Sequence, residues 1–527
     1  MHPFDRYAAF TDLKLLLEAS SRSLRKSKRV NTLKCSAPEF QHWARAKKWA
    51  IEPVPWCPEG FFVDRPSPPV ATGGLRSASR ENQEEDGQKR EAMGKDLLHI
   101  LGYTYMQEAA SMLPVVLLDP KPGETVLDMS AAPGSKATQI VARMNNAGML
   151  IANDVQEKRI WALLSNLQRC GAINTLVTRK VGQWFAGHMT ECFDRILCDA
   201  PCTAQGTVRK DSDALMYCSM ENTGKMARLQ RELLESAIHA TKVGGRIVYS
   251  TCTLTPEENE GVVMSILNKF SDQVFALEPT KLQASHSGMR SPQGLRTASG
   301  ELQAKYFDRA IEDSIKVQSW MKSKGLQLGA CGLPLLRFWP QTADTEGFFA
   351  AVLEKRAPTR DRGTKKKNEP HRFECLPPAR AREVSSGLEE WYGAGFLRSG
   401  EALVATSEQL WVFPREFQKF RIPLSPYLIG LPFGKTTTHG MVRLSHEMAT
   451  LRGHEATRQV MSLSQEDLRR ALQGKDLASD LRQLEDGDVL LGIRDKAFDR
   501  PIIVGRGLLK KGKILNRLPR EIVRMFT

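Results

Sequence analysis

Between residues 125 and 353 short aliphatic and β-branched runs alternate with segments whose apolar residues recur every three or four positions. The runs 125–128, 149–154, 175–178, 193–199 and 246–251 read as strands buried on both faces. Between them Ala137, Ile140, Val141 and Met144, then Ile160, Leu163, Leu164 and Leu167, then Leu229, Leu233, Leu234, Ala237 and Ile238 mark helices with one apolar face. Alternation of this kind predicts an α/β fold with a doubly wound, mostly parallel sheet. Residues 337–339 and 348–353 predict a closing antiparallel pair. A helix is expected over 105–114, and another starting at Thr255, with Pro256 in its first turn and Glu258 closing a capping box.

The pattern divides the rest of the chain. Residues 1–69 read as a small α+β module for RNA, in which the cluster Arg22, Arg25, Lys26, Lys28 and Arg29 runs into a strand at 30–34. A strand entered through a cationic loop suits a phosphate backbone, although a solvated face is the commoner meaning of such a run. Residues 70–95 lack large apolar side chains and read as a disordered insertion, and the sheet domain spans 96–355 with a surface insertion at about 277–326. A basic linker over 356–372 leads to a β-rich accessory region, 373–527, of one or two small domains.

The chain of 527 residues is 41% hydrophobic and 26% charged, with a formal charge of +15, so a polyanionic partner is expected. Ten cysteines without a CxxC pair argue for reduced thiols and against a zinc site. No apolar run approaches the roughly 20 residues that span a bilayer, and Asp5, Asp12 and Glu18 break up any signal-peptide core. The expectation is a cytoplasmic monomer without metal or membrane; a nuclear, nucleolar or organellar site is the alternative in a eukaryotic host.

Candidate chemistry gathers where an open parallel sheet binds ligands, beyond the carboxyl ends of its strands. The first strand breaks at Pro133-Gly134 and a helix opens at Ser135. The small residues Ser130, Ala131, Ala132 and Gly134 let a ligand lie against the backbone. Asp154, closing the second strand, is the expected partner of ribose hydroxyls, and the absence of GxGxxG counts against a dehydrogenase. Cys202 and Cys252 lie just past strands in polar loops, whereas Cys170, Cys192 and Cys198 read as core filling. A thiolate that adds to carbon-6 of cytosine makes carbon-5 nucleophilic, and a carboxyl such as Asp199 can stabilise the adduct through ring nitrogen-3 and the exocyclic amine. The chemistry alone leaves open which thiol adds.

The motifs Asp128-Met-Ser-Ala-Ala-Pro-Gly-Ser-Lys136, Asp199-Ala-Pro-Cys202 and Ser250-Thr-Cys-Thr253 resemble the signature set of the Nop/Sun family of RNA cytosine-5 methyltransferases. Arg29-Val-Asn-Thr-Leu-Lys34, Gln107-Glu-Ala-Ala-Ser-Met-Leu113 and Pro519-Arg-Glu-Ile-Val-Arg524 resemble its bacterial small-subunit rRNA branch. The resemblance implies a Rossmann-like methyltransferase sheet, S-adenosylmethionine as methyl donor, and RNA as substrate, rRNA first and tRNA second. It also implies Cys252 as nucleophile and Cys202 as the group that assists product release. By the same resemblance Ser130, Ala131, Ala132, Pro133, Gly134, Ser135, Lys136 and Asp154 hold the cofactor, Asp199 borders cofactor and base, and Lys136 positions Asp199. A PUA-like C-terminal domain is implied to grip folded RNA. One departure stands out: Val181 lies where relatives place an acid for the adenine amino group, so either backbone carbonyls substitute or cofactor affinity is reduced. A non-catalytic RNA-binding assembly factor is the competing reading; a small-molecule methyltransferase leaves the charge and extra domains unexplained.

Overall fold

Runs in which nearly every residue is apolar can be strands only where both faces are covered. The computed structural model describes residues 3–64, 95–280, 298–324, 332–360, 374–419, 426–437, 441–478 and 484–526. The strands of the central sheet are β1 (Thr125–Asp128), β2 (Met149–Asn153), β3 (Thr175–Thr178), β4 (Phe193–Asp199), β5 (Thr241–Thr251), β6 (Val274–Ala276), β7 (Leu336–Phe338), β8 (Phe348–Lys355) and β9 (Leu428–Ile429). They lie in the order β6-β8-β5-β4-β1-β2-β3-β9, with β7 also on β8. Strands β1 to β5 run parallel, and β8 returns antiparallel along β5. The sheet is the doubly wound one that the alternation predicts.

Each face has its own core. Val126, Leu150, Leu197 and Val248 point to the side covered by Ala137, Ile140, Leu163 and Leu167. Their neighbours Leu127, Ile151, Ile196 and Ile247 meet Leu233, Leu234, Ala237 and Ile238 on the other. The apolar spacing of helices Ser135–Arg143, Glu157–Cys170 and Met220–Ala240 therefore marks their buried faces.

Tertiary contacts override several local signals. Thr104–Met106 is a strand paired with Ser27–Val30, so the helix expected over 105–114 starts at Ala109 and runs through Pro114 to Leu118. No helix starts at Thr255; the helix there is Glu260–Lys269, and the Glu258 carboxylate accepts from Thr203, Gln230 and the Thr255 hydroxyl, while the Thr255 N–H that a capping box would give it goes to Thr253 Oγ1. Within the stretch expected as a surface insertion, Ala298–Ser323 is one long helix, and its Phe307, Ala310, Val317 and Met321 are buried. Residues 70–94 of the expected disordered stretch and 361–372 of the expected linker lie outside the described residues.

The basic cluster near the N-terminus is largely structural. The strand lies at Ser27–Val30 rather than 30–34, between two partner strands, which buries its cations. Lys28 is paired with Asp96. Arg29 donates to Gln107 Oε1 at 2.6 Å, to the Ser135 carbonyl at 2.6 Å and to Thr138 Oγ1 at 2.9 Å. Arg25 lies over the Phe62 ring and pairs with Glu52; Arg22 and Lys26 remain exposed.

The C-terminal region contributes a four-stranded and a five-stranded sheet. Phe40, Trp43, Leu98 and Tyr103 from the N-terminal part share one core with Met461, Val489, Val504 and Ile522. Both ends of the chain are thus packed together, and β9 extends the central sheet beside β3. Among the described residues no helix is long and apolar enough to cross a membrane.

One buried ion pair anchors the closing strands. Arg337, fully buried on β7, donates to Glu260 Oε1 at 2.8 Å and to the Leu254 carbonyl at 2.8 Å. Removing one partner strands the other charge in the interior. Arg337→Met should lower the unfolding free energy by ~3–5 kcal/mol in denaturant titration, whereas Arg337→Met with Glu260→Met should recover part of it; a single variant as stable as the parent contradicts this.

Candidate active site

The loop after β1 is shaped by Gly134, whose φ of 109° lies in the left-handed region and lets helix Ser135–Arg143 start immediately. Neighbouring elements fix it. Ala131 N–H donates to the Asn153 carbonyl at 2.7 Å and Ala132 N–H to Asp154 Oδ2 at 3.3 Å. Asn166 Nδ2 donates to the Pro133 carbonyl at 2.9 Å, and Arg29 holds the Ser135 carbonyl. Asp154, just beyond β2, is 2% exposed; it accepts from Gln156 N–H at 2.9 Å and pairs with Arg159 at 3.4 Å. Val155 and Val181 are exposed apolar side chains at the ends of β2 and β3. Where an acid was expected, the chain therefore presents a valine.

Asp128 closes β1 at the centre of this rim. Its Oδ2 is buried and has no hydrogen-bond partner. Burial, then the nearby Asp199 charge, pushes its carboxyl up to about 7.

The parallel register of β4 and β5 sets Asp199 opposite Ser250. Ser250 Oγ donates to Asp199 Oδ1 at 2.6 Å, and Lys136 Nζ donates to Asp199 Oδ2 at 2.7 Å. Both carboxylate oxygens are held. Burial disfavours the Lys136 ammonium, but Asp199 beside it more than compensates and holds its pKa above that of an ordinary lysine. The same ammonium lies 5.9 Å from the centre of the Phe348 ring.

Beyond those strand ends the two half-buried thiols meet, with Cys202 Sγ 3.5 Å from Cys252 Sγ. The hydrogen bond to Cys252, then burial, pushes the Cys202 thiol well above the usual range. The two sulfurs are within hydrogen-bond reach, and either can be the donor. Cys170 and Cys198 are buried in the core, whereas Cys192 is only half-buried. Among the described residues no group of three or more His, Cys, Asp or Glu could hold a metal ion.

Four participants were not assigned from sequence. Ser250 stands inside the Ser-Thr-Cys-Thr motif, Asp128 opens the motif that runs to Lys136, Glu258 carries a capping signal and Arg29 a phosphate signal. For Ser250, Glu258 and Arg29 the partners Asp199, Thr203 and Gln107 lie far away in the chain, and the buried Asp128 oxygen has none. Of the expected residues, Lys136, Asp199, Cys202 and Cys252 come together at the ends of β4 and β5, while Asp154 lies across the cradle at the end of β2.

The chain is similar to known proteins along most of its length. The family described as 16S rRNA methyltransferase RsmB/F matches residues 115–354, and the N-terminal domain of 16S rRNA methyltransferase RsmF matches residues 7–75. The ribosomal RNA small subunit methyltransferase F of Aeromonas hydrophila is 35% identical over 95% of this chain and 92% of its own length. That of Aliivibrio fischeri is 33% identical over 96% of this chain and 93% of its own. A solved methyltransferase homolog from Pyrococcus horikoshii is 30% identical, with a TM-score of 0.49 over 67% of this chain and 93% of its own. Identity at this level, sustained along almost the whole chain, establishes that it belongs to the RsmB/F family of 16S rRNA methyltransferases.

Proposed function

We propose that this protein transfers a methyl group from S-adenosylmethionine to carbon-5 of a cytosine in small-subunit rRNA, through a transient bond between Cys252 Sγ and carbon-6 of the ring. The observation that carries the reading is the pair of thiols 3.5 Å apart beside a carboxylate fixed on both oxygens. Mere RNA binding needs no such arrangement. The rRNA assignment rests on relatives named for that substrate and aligned over 92% and 93% of their lengths, and the charge of +15 is compatible with it.

Ser130 to Lys136 and Asp154 would hold the cofactor, which supplies an electrophilic methyl group. The buried, unpartnered Asp128 oxygen suits this group, since it offers an acceptor to the ammonium of the methionine end. Val155 and Val181 offer apolar contact to a flat ring. In the reaction the Cys252 thiolate adds to carbon-6, and electron density moves to carbon-5. Asp199, kept in place by Lys136 and Ser250, faces ring nitrogen-3 and the exocyclic amine, and a proton held between its carboxyl and nitrogen-3 stabilises that density. After transfer the carbon-5 proton passes to solvent, its bonding electrons re-form the carbon-5–carbon-6 double bond, and the carbon–sulfur bond breaks with its electron pair going to Cys252 Sγ. Cys202, held as a thiol, donates to the departing Cys252 sulfur and eases its release.

Incubation with labelled S-adenosylmethionine and small-subunit rRNA should place label in 5-methylcytosine; RNA that stays unlabelled at that base contradicts the reading. Cys252→Ala should lower turnover by a factor on the order of 10³ or more. Cys202→Ala should instead leave a protein–RNA adduct that migrates slowly on a denaturing gel, and an adduct seen with Cys252→Ala would reverse the two roles. Asp128 adds a pH signature. Its native pKa of about 7 exceeds the ordinary 3.8, so between these values the native state binds more protons than the unfolded chain, and stability falls as pH rises. In Asp128→Asn that decline should be shallower, as read from thermal midpoints across the same window.

A further inference from the structure

Each cysteine sits on its own loop, Cys202 after β4 and Cys252 after β5, and their spacing depends on what ties those loops together. Glu258 provides a tie. Its side chain is fully buried, and its Oε2 accepts from Thr203 N–H at 3.0 Å and from Gln230 Nε2 at 2.8 Å. Its Oε1 accepts from Thr255 Oγ1 at 2.8 Å and from Thr203 Oγ1. Four donors occupy the lone pairs that a carboxylate offers. Thr203 is the residue after Cys202, and Thr255 follows Cys252 by three positions.

The surrounding contacts tighten the same link. The Gln230 amide that donates to Glu258 also donates to the Pro201 carbonyl at 2.8 Å, immediately before Cys202. Thr203 Oγ1 lies 2.9 Å from Thr253 Oγ1, one residue past Cys252. Tyr249, two positions before the end of β5, donates its hydroxyl to the Glu258 carbonyl at 2.5 Å. Gly206 N–H completes the join on the Cys252 carbonyl at 2.9 Å.

We infer that Glu258 is a positioning residue for the second half of the reaction: it clamps the Cys202 loop to the Cys252 segment so that the Cys202 thiol stays within reach of the sulfur that must leave. The inference rests on the reading of Cys202 as the release group. It assigns Glu258 no contact with substrate. Loss of the clamp lets the Cys202 loop drift while Asp199 and Lys136 keep their own bonds and Cys252 stays at the end of β5, next to Thr251 paired with Phe349, so addition and methyl transfer survive and release slows.

The variant Glu258→Gln preserves size but offers too few acceptors for four donors. It should bind S-adenosylmethionine with an affinity within about twofold of the parent, and its adduct should persist at least about 10-fold longer, the effect of losing one charge-assisted hydrogen bond. Cys202→Ala, run in parallel, separates the two ideas. If Cys202→Ala traps the adduct and Glu258→Gln releases product at the parental rate, the clamp is overturned and the release reading stands. If Cys202→Ala traps nothing, the release reading falls and this inference with it. A Glu258→Gln protein that loses cofactor affinity together with turnover has a general folding defect, which also overturns the specific role. Diamide supplies a readout independent of turnover, since it takes up both thiol hydrogens as a sulfur–sulfur bond forms. Peptide mapping should show the Cys202–Cys252 bridge closing at least about 10-fold more slowly in Glu258→Gln, and an unchanged rate overturns the clamp.

Discussion

The parallel register between β4 and β5 governs the rest. With Asp199 opposite Ser250, the two chains leave the sheet side by side. Cys202 and Cys252, three and two residues further on, then arrive with their sulfurs 3.5 Å apart. A slip of one residue would turn Asp199 to the opposite face and separate the thiols. That register is secured by cores on both faces of the sheet, Leu197 with Val248 on one and Ile196 with Ile247 on the other, and by β8 along the far side of β5.

Around this line the site is built from groups that fix one another. Lys136 comes from the helix after β1 and reaches Asp199 at the end of β4, so the cradle and the reactive rim are coupled by one ion pair. Arg29, from the N-terminal sheet, grips the start of the same helix at Ser135 and Thr138. The N-terminal sheet in turn shares a core with the C-terminal strands. Both ends of the chain are therefore packed behind the loop after β1, and the accessory regions brace the central sheet.

Buried polar residues account for much of what makes the site rigid. Arg29, Glu258, Glu260 and Arg337 are all buried, and each is matched by donors or acceptors from distant segments. Such groups are costly to bury unless satisfied. Their partners consequently dictate geometry in a way that apolar packing alone does not. Asp128 differs from these four in having one carboxylate oxygen buried without a partner at the end of β1.

Periodicity alone identified the five parallel strands, the helices between them and the antiparallel return, because these follow from which residues must leave water. That Asp199, Cys202 and Cys252 lie together at strand ends was legible too, since the strand runs end at or just before them. What the chain's order could not convey was which distant group each polar residue would meet. Glu258 carries the local signal of a helix cap but is captured by Thr203 and Gln230, and Arg29 carries that of a phosphate contact but is enclosed between two strands. Residues 298–323 look like surface until Phe307 and Val317 find their apolar partners. Local pattern determines what a segment can bury, whereas hydrogen-bond partners are chosen only when segments far apart in the chain are brought together, and tertiary structure alone makes that choice.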